Sequence, residues 1–195
     1  LRAALAAPAR IRRLVLFGWA AGAPIGRLPF MLRIGVLPVV GDTLDRLPVT
    51  TAAVRAIFRG IGSGAAVADG RISAQAIDAY AALLRWTPTL RNDRRLGRLF
   101  FSAFGMDERI ILTTAERAAI RQPVRWLWGE HDSFAGETIA REFVAPFPDI
   151  ELEVVPAMGH APWVDDLDRS RSIRRLRPRG PRRPTGLSDR RTAIR

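Results

Sequence analysis

Apolar positions along this chain follow two different periods, and their distribution predicts where strands and helices fall. Residues 12–18, Arg-Arg-Leu-Val-Leu-Phe-Gly, form a continuous apolar run closed by glycine, the pattern of a parallel strand buried on both faces. From 19 to 48, Gly22, Gly26, Gly35 and Gly41 alternate with Pro24, Pro29, Pro38 and Pro48, which predicts loops and short helices. Thr50 to Arg59 places Val54, Ile57 and Phe58 on one helical stripe. Ser73 to Leu84 sets Ile77, Tyr80, Ala81 and Leu84 at helical spacing, with Ser73 as N-cap and Pro88 beyond the end. Leu96 to Phe104 is predicted as another helix, and Thr113 or Thr114 caps a short one running to Arg121.

The pattern changes after Pro123. Val124 to Gly129 (Val-Arg-Trp-Leu-Trp-Gly) reads as a strand, and Gly136 to Pro146 as a helix turning Ile139, Ala140, Phe143 and Val144 inward. Ile150 to Val155 reads as a second strand. Strand, helix and strand in about 30 residues make a βαβ unit, so the two strands run parallel and are expected side by side. From 169 onward no apolar period survives. That segment is rich in arginine, contains Pro178, Pro181 and Pro184, and is expected to be disordered because it has too little apolar surface to offset its ordering entropy.

Charge alters the picture only once it is located. The chain of 195 residues carries a formal +12, and every basic residue is arginine. Residues 1–168 hold 20 Arg against 18 Asp and Glu, whereas 169–195 hold 11 Arg against Asp189 alone. A nearly neutral body therefore precedes a basic tail. The tail admits three readings: an arm binding nucleic acid or anionic surfaces non-specifically, a solvated extension, or an out-of-frame translation of GC-rich DNA. It contains no aromatic residue to stack on bases, so no specific nucleic-acid partner is expected.

There is no cysteine, which excludes disulfides, thiolate metal sites and a cysteine nucleophile. The apolar run Leu14 to Gly26 spans 13 residues, too short to cross a bilayer. Arg10, Arg12 and Arg13 ahead of it mimic a secretory signal, but the run is read as a buried strand and a cytoplasmic location is the expectation. Leu1 in place of Met suggests a truncated reading frame or an unusual start codon.

Chemistry concentrates at the ends of the two late strands. Asp132 follows the first and His160 the second, after Pro156-Ala157-Met158-Gly159. Neighbouring strands lie about 4.8 Å apart, so side chains leaving the same edge can meet. A carboxylate there can accept the imidazole Nδ1–H, fix the tautomer and leave the other nitrogen as a general base. Gly159 is expected to let the backbone turn sharply before His160. His131 beside Asp132 suggests a metal pair, but no third and fourth donor stands at suitable spacing. Trp86, Phe100, Phe101 and Phe104 suit either a substrate pocket or, at helical spacing, the core; core is the expectation.

Taken together, Pro123-Val124 through Gly129-Glu130-His131-Asp132, then Val155-Pro156 and Gly159-His160-Ala161-Pro162-Trp163, resemble the closing third of an α/β-hydrolase. The resemblance implies Asp132 as triad acid and His160 as triad base, with no cofactor and no metal. Arg13 to Gly18 is similar to the strand that follows the nucleophile elbow, and residues 19–120 resemble an inserted helical cap. The elbow itself, G-x-S-x-G between strand and helix, is not found. Its nearest match surrounds Ser63, where Ile61 and Ala65 replace the glycines and the preceding pattern is helical, so Gly60 to Gly64 is read as a flexible turn in the cap.

The expectation is an α/β protein, an incomplete α/β-hydrolase-like parallel sheet with a helical cap and a disordered basic tail. Its parts are a core strand in 1–25, a cap in 26–120, the βαβ unit with Asp132 and His160 in 121–168, and the tail in 169–195. The intact relative would hydrolyse an ester or similar bond of a small apolar ester-like substrate, and this sequence by itself would be inactive. Esterase, epoxide hydrolase, dehalogenase and carbon–carbon hydrolase are all open, with serine or aspartate as nucleophile. The alternative is a non-enzymatic remnant whose tail binds nucleic acid or anionic surfaces.

Overall fold

The computed structural model describes residues 1–44, 47–102, 104–166 and 168. The tail from 169, with its predicted disorder and its binding alternative, lies outside the described residues. In chain order the elements are α1 (Arg2–Ala6), β1 (Leu14–Phe17), α2 (Phe30–Gly35), α3 (Pro38–Leu44), α4 (Thr51–Gly60), α5 (Gly64–Ala68), α6 (Ala74–Trp86) and α7 (Thr89–Phe100). A short hairpin of β2 (Phe101–Ser102) and β3 (Gly105–Met106) follows, then α8 (Thr114–Ala119), β4 (Val124–Gly129), α9 (Glu137–Val144), β5 (Ile150–Val155) and α10 (Pro162–Asp165).

The architecture is α/β. A three-stranded sheet has the order β1-β4-β5, and both pairings are parallel. Leu14 pairs with Val124, and Val124 with Ile150, so all three strands begin level and end at one rim. Alternation along β4 divides its side chains between two faces. Trp126 and Trp128 are fully buried with Phe143 of α9, while Leu127 packs with Val155, Met158, Val15 and Phe17. The helices between β1 and β4 hold a separate apolar cluster, in which Val54 and Phe58 meet Ile72, Ile77, Ala81 and Leu84.

Local chemistry explains the helix ends. Thr50 and Ser73 accept the amides of Ala53 and Ala76, each at 3.1 Å, which starts α4 and α6; the Ser73 cap was expected. Thr113 and Glu116 form a reciprocal capping box on α8.

Three expectations are corrected. The segment Leu96 to Phe104 is not one helix: α7 begins at Thr89 and stops at Phe100, because Phe101 turns extended and pairs with Met106. That break undoes the helical spacing of the aromatic residues, so Phe104 is 99% exposed, and Trp86, at the last position of α6, is 79% exposed. Neither belongs to the core, while Phe100 and Phe101 are half-buried. The strand at 12–18 is not buried on both faces either. All four residues of β1 are half-buried, since among the described residues it is an edge strand.

Candidate active site

Asp132 and His160 leave the same rim of the sheet, from the carboxyl ends of the adjacent strands β4 and β5. Their side chains meet: His160 Nδ1 lies 3.0 Å from Asp132 Oδ2, with the carboxylate fully buried and the imidazole 22% exposed. The same Oδ2 accepts the backbone amide of Trp19 at 2.6 Å, and Oδ1 accepts that of Phe134 at 3.0 Å. All the partners of this carboxylate can donate, so it serves purely as an acceptor and its plane is fixed by two backbone amides. With the carboxylate accepting, Nδ1 carries the proton and Nε2 is the free nitrogen.

Each contact traces back to a local feature. β1 ends at Phe17, and the φ of +61° at the next residue, Gly18, turns the chain so that Trp19 presents its amide to Asp132. A Cβ on Gly18 would collide with the carbonyl of His160, so glycine serves both the turn and the close approach. The Trp126 indole donates to the Gly18 carbonyl at 2.7 Å, and that of Trp128 to Ala135 at 2.8 Å, so buried tryptophans of β4 hold the loops around the acid. Phe134 stacks on Trp19 and lies 4.4 Å, centroid to centroid, from the imidazole, covering one side of the pair.

The loop before His160 differs in detail from expectation. The sharp turn falls at Ala157, with φ 57°, whose amide donates to Glu130 Oε2 at 2.9 Å. Gly159 has no positive φ; it lacks a side chain because the backbone of Gly62 and Ser63 lies against it.

Ser63 lies in the turn between α4 and α5, fully buried, with no strand before it and no hydrogen bond to its Oγ. Among the described residues, the His160 ring makes no hydrogen bond other than that to Asp132. His131 is exposed, and among the described residues no group of three or more His, Cys, Asp or Glu could hold a metal ion. No helix among them is long and apolar enough to cross a membrane.

An apolar cavity of about 520 Å³ lies among α2, α4, α6 and α7, lined by Phe30, Val36, Ile57, Ile61 and Leu84. It reaches Ser133, next to Asp132; the buried Oγ of Ser133 has no hydrogen-bond partner among the described residues. Tyr80 and Asp93 also line it. Burial pushes the Asp93 carboxyl above the usual range, and burial together with the charge of Asp93 raises the Tyr80 phenol. A larger, open groove of about 830 Å³ lies along Asp42, Arg85, Arg91 and Arg95, and neither Asp132 nor His160 lines it. Sequence periodicity could not have found the apolar cavity, because its walls come from helices far apart in the chain.

The sequence matches no family model and no curated protein. The structure is similar to several solved ones. A 2-hydroxy-6-oxo-6-phenylhexa-2,4-dienoate hydrolase from Rhodococcus sp. strain RHA1 superposes with a TM-score of 0.62 at 15% identity, covering 88% of this chain and 57% of that one. A serine hydrolase from the polyaromatic-hydrocarbon-degrading bacterium Cycloclasticus zankles gives 0.59 at 19% identity, covering 86% and 55%. A meta-cleavage product hydrolase from Pseudomonas fluorescens IP01 gives 0.56 at 13% identity, covering 89% and 57%. This chain thus shares the α/β-hydrolase fold and spans somewhat more than half the length of these structures.

Proposed function

We propose that the chain supplies the acid and base of a hydrolase triad, with Asp132 orienting His160 and His160 activating a nucleophile that lies outside this sequence. The observation that carries the reading is the 3.0 Å Nδ1–Oδ2 contact at the rim where parallel strands end. In the intact enzyme a serine nucleophile gives its proton to His160 Nε2, which passes it to the leaving group as a covalent intermediate forms, whereas an aspartate nucleophile attacks already ionised. In either case the same nitrogen then takes a proton from the water that releases the intermediate. The buried Asp132 stabilises each imidazolium so formed. Helices α2 to α7 form the cap, and the 520 Å³ cavity takes the apolar part of a small ester-like substrate.

Two measurements test this. Coding DNA upstream of Leu1 is expected to contain an elbow, centred on serine or aspartate, about 20 residues before Leu14. Upstream sequence without one would sink the proposal. The purified 195-residue chain is expected to show no ester turnover; turnover abolished by His160→Ala would place a nucleophile within the chain instead.

A further inference from the structure

Asp165 is 1% exposed, and no ion pair joins it to another of the described residues. Its Oδ2 accepts the Gly159 amide at 2.7 Å, and its Oδ1 has no hydrogen bond. A buried carboxylate satisfied on one side only costs stability, and an apolar residue would suit the site better on that ground alone. The amide that Asp165 holds belongs to the residue immediately before His160. The next amide, that of His160 itself, donates to the Ile61 carbonyl at 2.9 Å.

Ile61 opens the turn between α4 and α5, and that turn is locked in place. Gly62 has φ +92°, and a Cβ there would run into the His131 carbonyl. Ser63 rests against Gly159 with its own Oγ buried and unpartnered. The same turn thus touches the loop bearing Asp132 and the loop bearing His160. On the other side, Val164 of α10 packs into the apolar cluster of Val54 and Phe58, which ties Asp165 to the helical layer.

We propose that Asp165 and the turn Ile61–Ser63 act as a two-jawed clasp on the Gly159 and His160 amides, positioning the imidazole against Asp132. Asp165 is a positioning residue, and the inference rests on the reading of His160 as the base. Two consecutive amides held by two separate segments fix the backbone from which the ring projects. A ring displaced by about 1 Å loses its aligned bond to the acid, an error large enough to matter in catalysis.

Nitrogen-15 NMR of the full chain tests this, since His131 and His160 are its only imidazoles. Asp165→Ala should abolish the slowly exchanging Nδ1 proton of His160 and let its ring nitrogens average, with His131 unmoved. Asp165→Asn keeps a carbonyl that can accept from Gly159 and should restore the signal. In the unsubstituted chain the Gly159 and His160 amides should exchange about tenfold or more slowly relative to exposed loop amides. A folded Asp165→Ala chain with an unchanged His160 signal overturns the clasp. So does a Gly159 amide that exchanges like an exposed one, a result available even where the alanine variant does not fold. Protected amides in an unsubstituted chain lacking the Nδ1 proton would support the clasp and count against the acid–base pair.

Discussion

At the scale of single residues, the site depends on where side chains are missing as much as on where they point. Asp132 is held by the amides of Trp19 and Phe134, and Trp19 reaches it only because Gly18 turns with positive φ beneath the His160 carbonyl. Gly18→Ala combines a left-handed alanine with a backbone collision. It is expected to cost about 2 kcal/mol or more, read as a lower denaturant midpoint at unchanged slope. Asp132 and His160 were legible because each stands within five residues of the end of an apolar strand, after a glycine that closes the strand or precedes the histidine. Asp165 was not. It is one of three acids among residues 165–168, and only its burial distinguishes it.

At the scale of elements, local rules account for most boundaries. Thr113→Ala removes the hydroxyl half of the box on α8 and should lower stability by about 1 kcal/mol in denaturant unfolding. The other half has a pH signature. The backbone amide of Thr113, then its hydroxyl, holds the Glu116 carboxyl below the ordinary glutamate range. With its folded value below its unfolded one, the stabilisation is complete above the unfolded value and is lost as pH falls through the folded one. Glu116→Gln should therefore be destabilising near neutral pH and nearly silent in acid below the glutamate range; equal effects at both would contradict the box. Period failed at Phe100–Phe101, where a helical run of Leu and Phe ends in a hairpin. Leu and Phe suit either conformation, and the pairing of Phe101 with Met106 ends the helix there.

For the whole molecule, the question is what the surfaces leave uncovered. Among the described residues the outer edge of β1 pairs with no strand, and Phe30, Val39, Trp86 and Phe104 are each at least 70% exposed. An open parallel edge beside such apolar surface favours association. The chain is expected to self-associate as its concentration rises, measurable by light scattering; a monodisperse monomer at high concentration would contradict this. Residues 169–195, with 11 Arg against Asp189 alone, carry most of the formal +12 charge.

By itself the sequence determined the βαβ unit, the helix caps and the two strand-end residues, because each depends on neighbours a few positions away: a period, a cap, a glycine. Tertiary structure alone decided that Asp132 and His160 touch, that Trp19 and Phe134 complete the carboxylate, and that a turn 97 positions before Gly159 and an acid six beyond it close on one loop. Contacts between segments so far apart leave no periodic trace in the chain. They exist only once burial has brought those segments within hydrogen-bond reach.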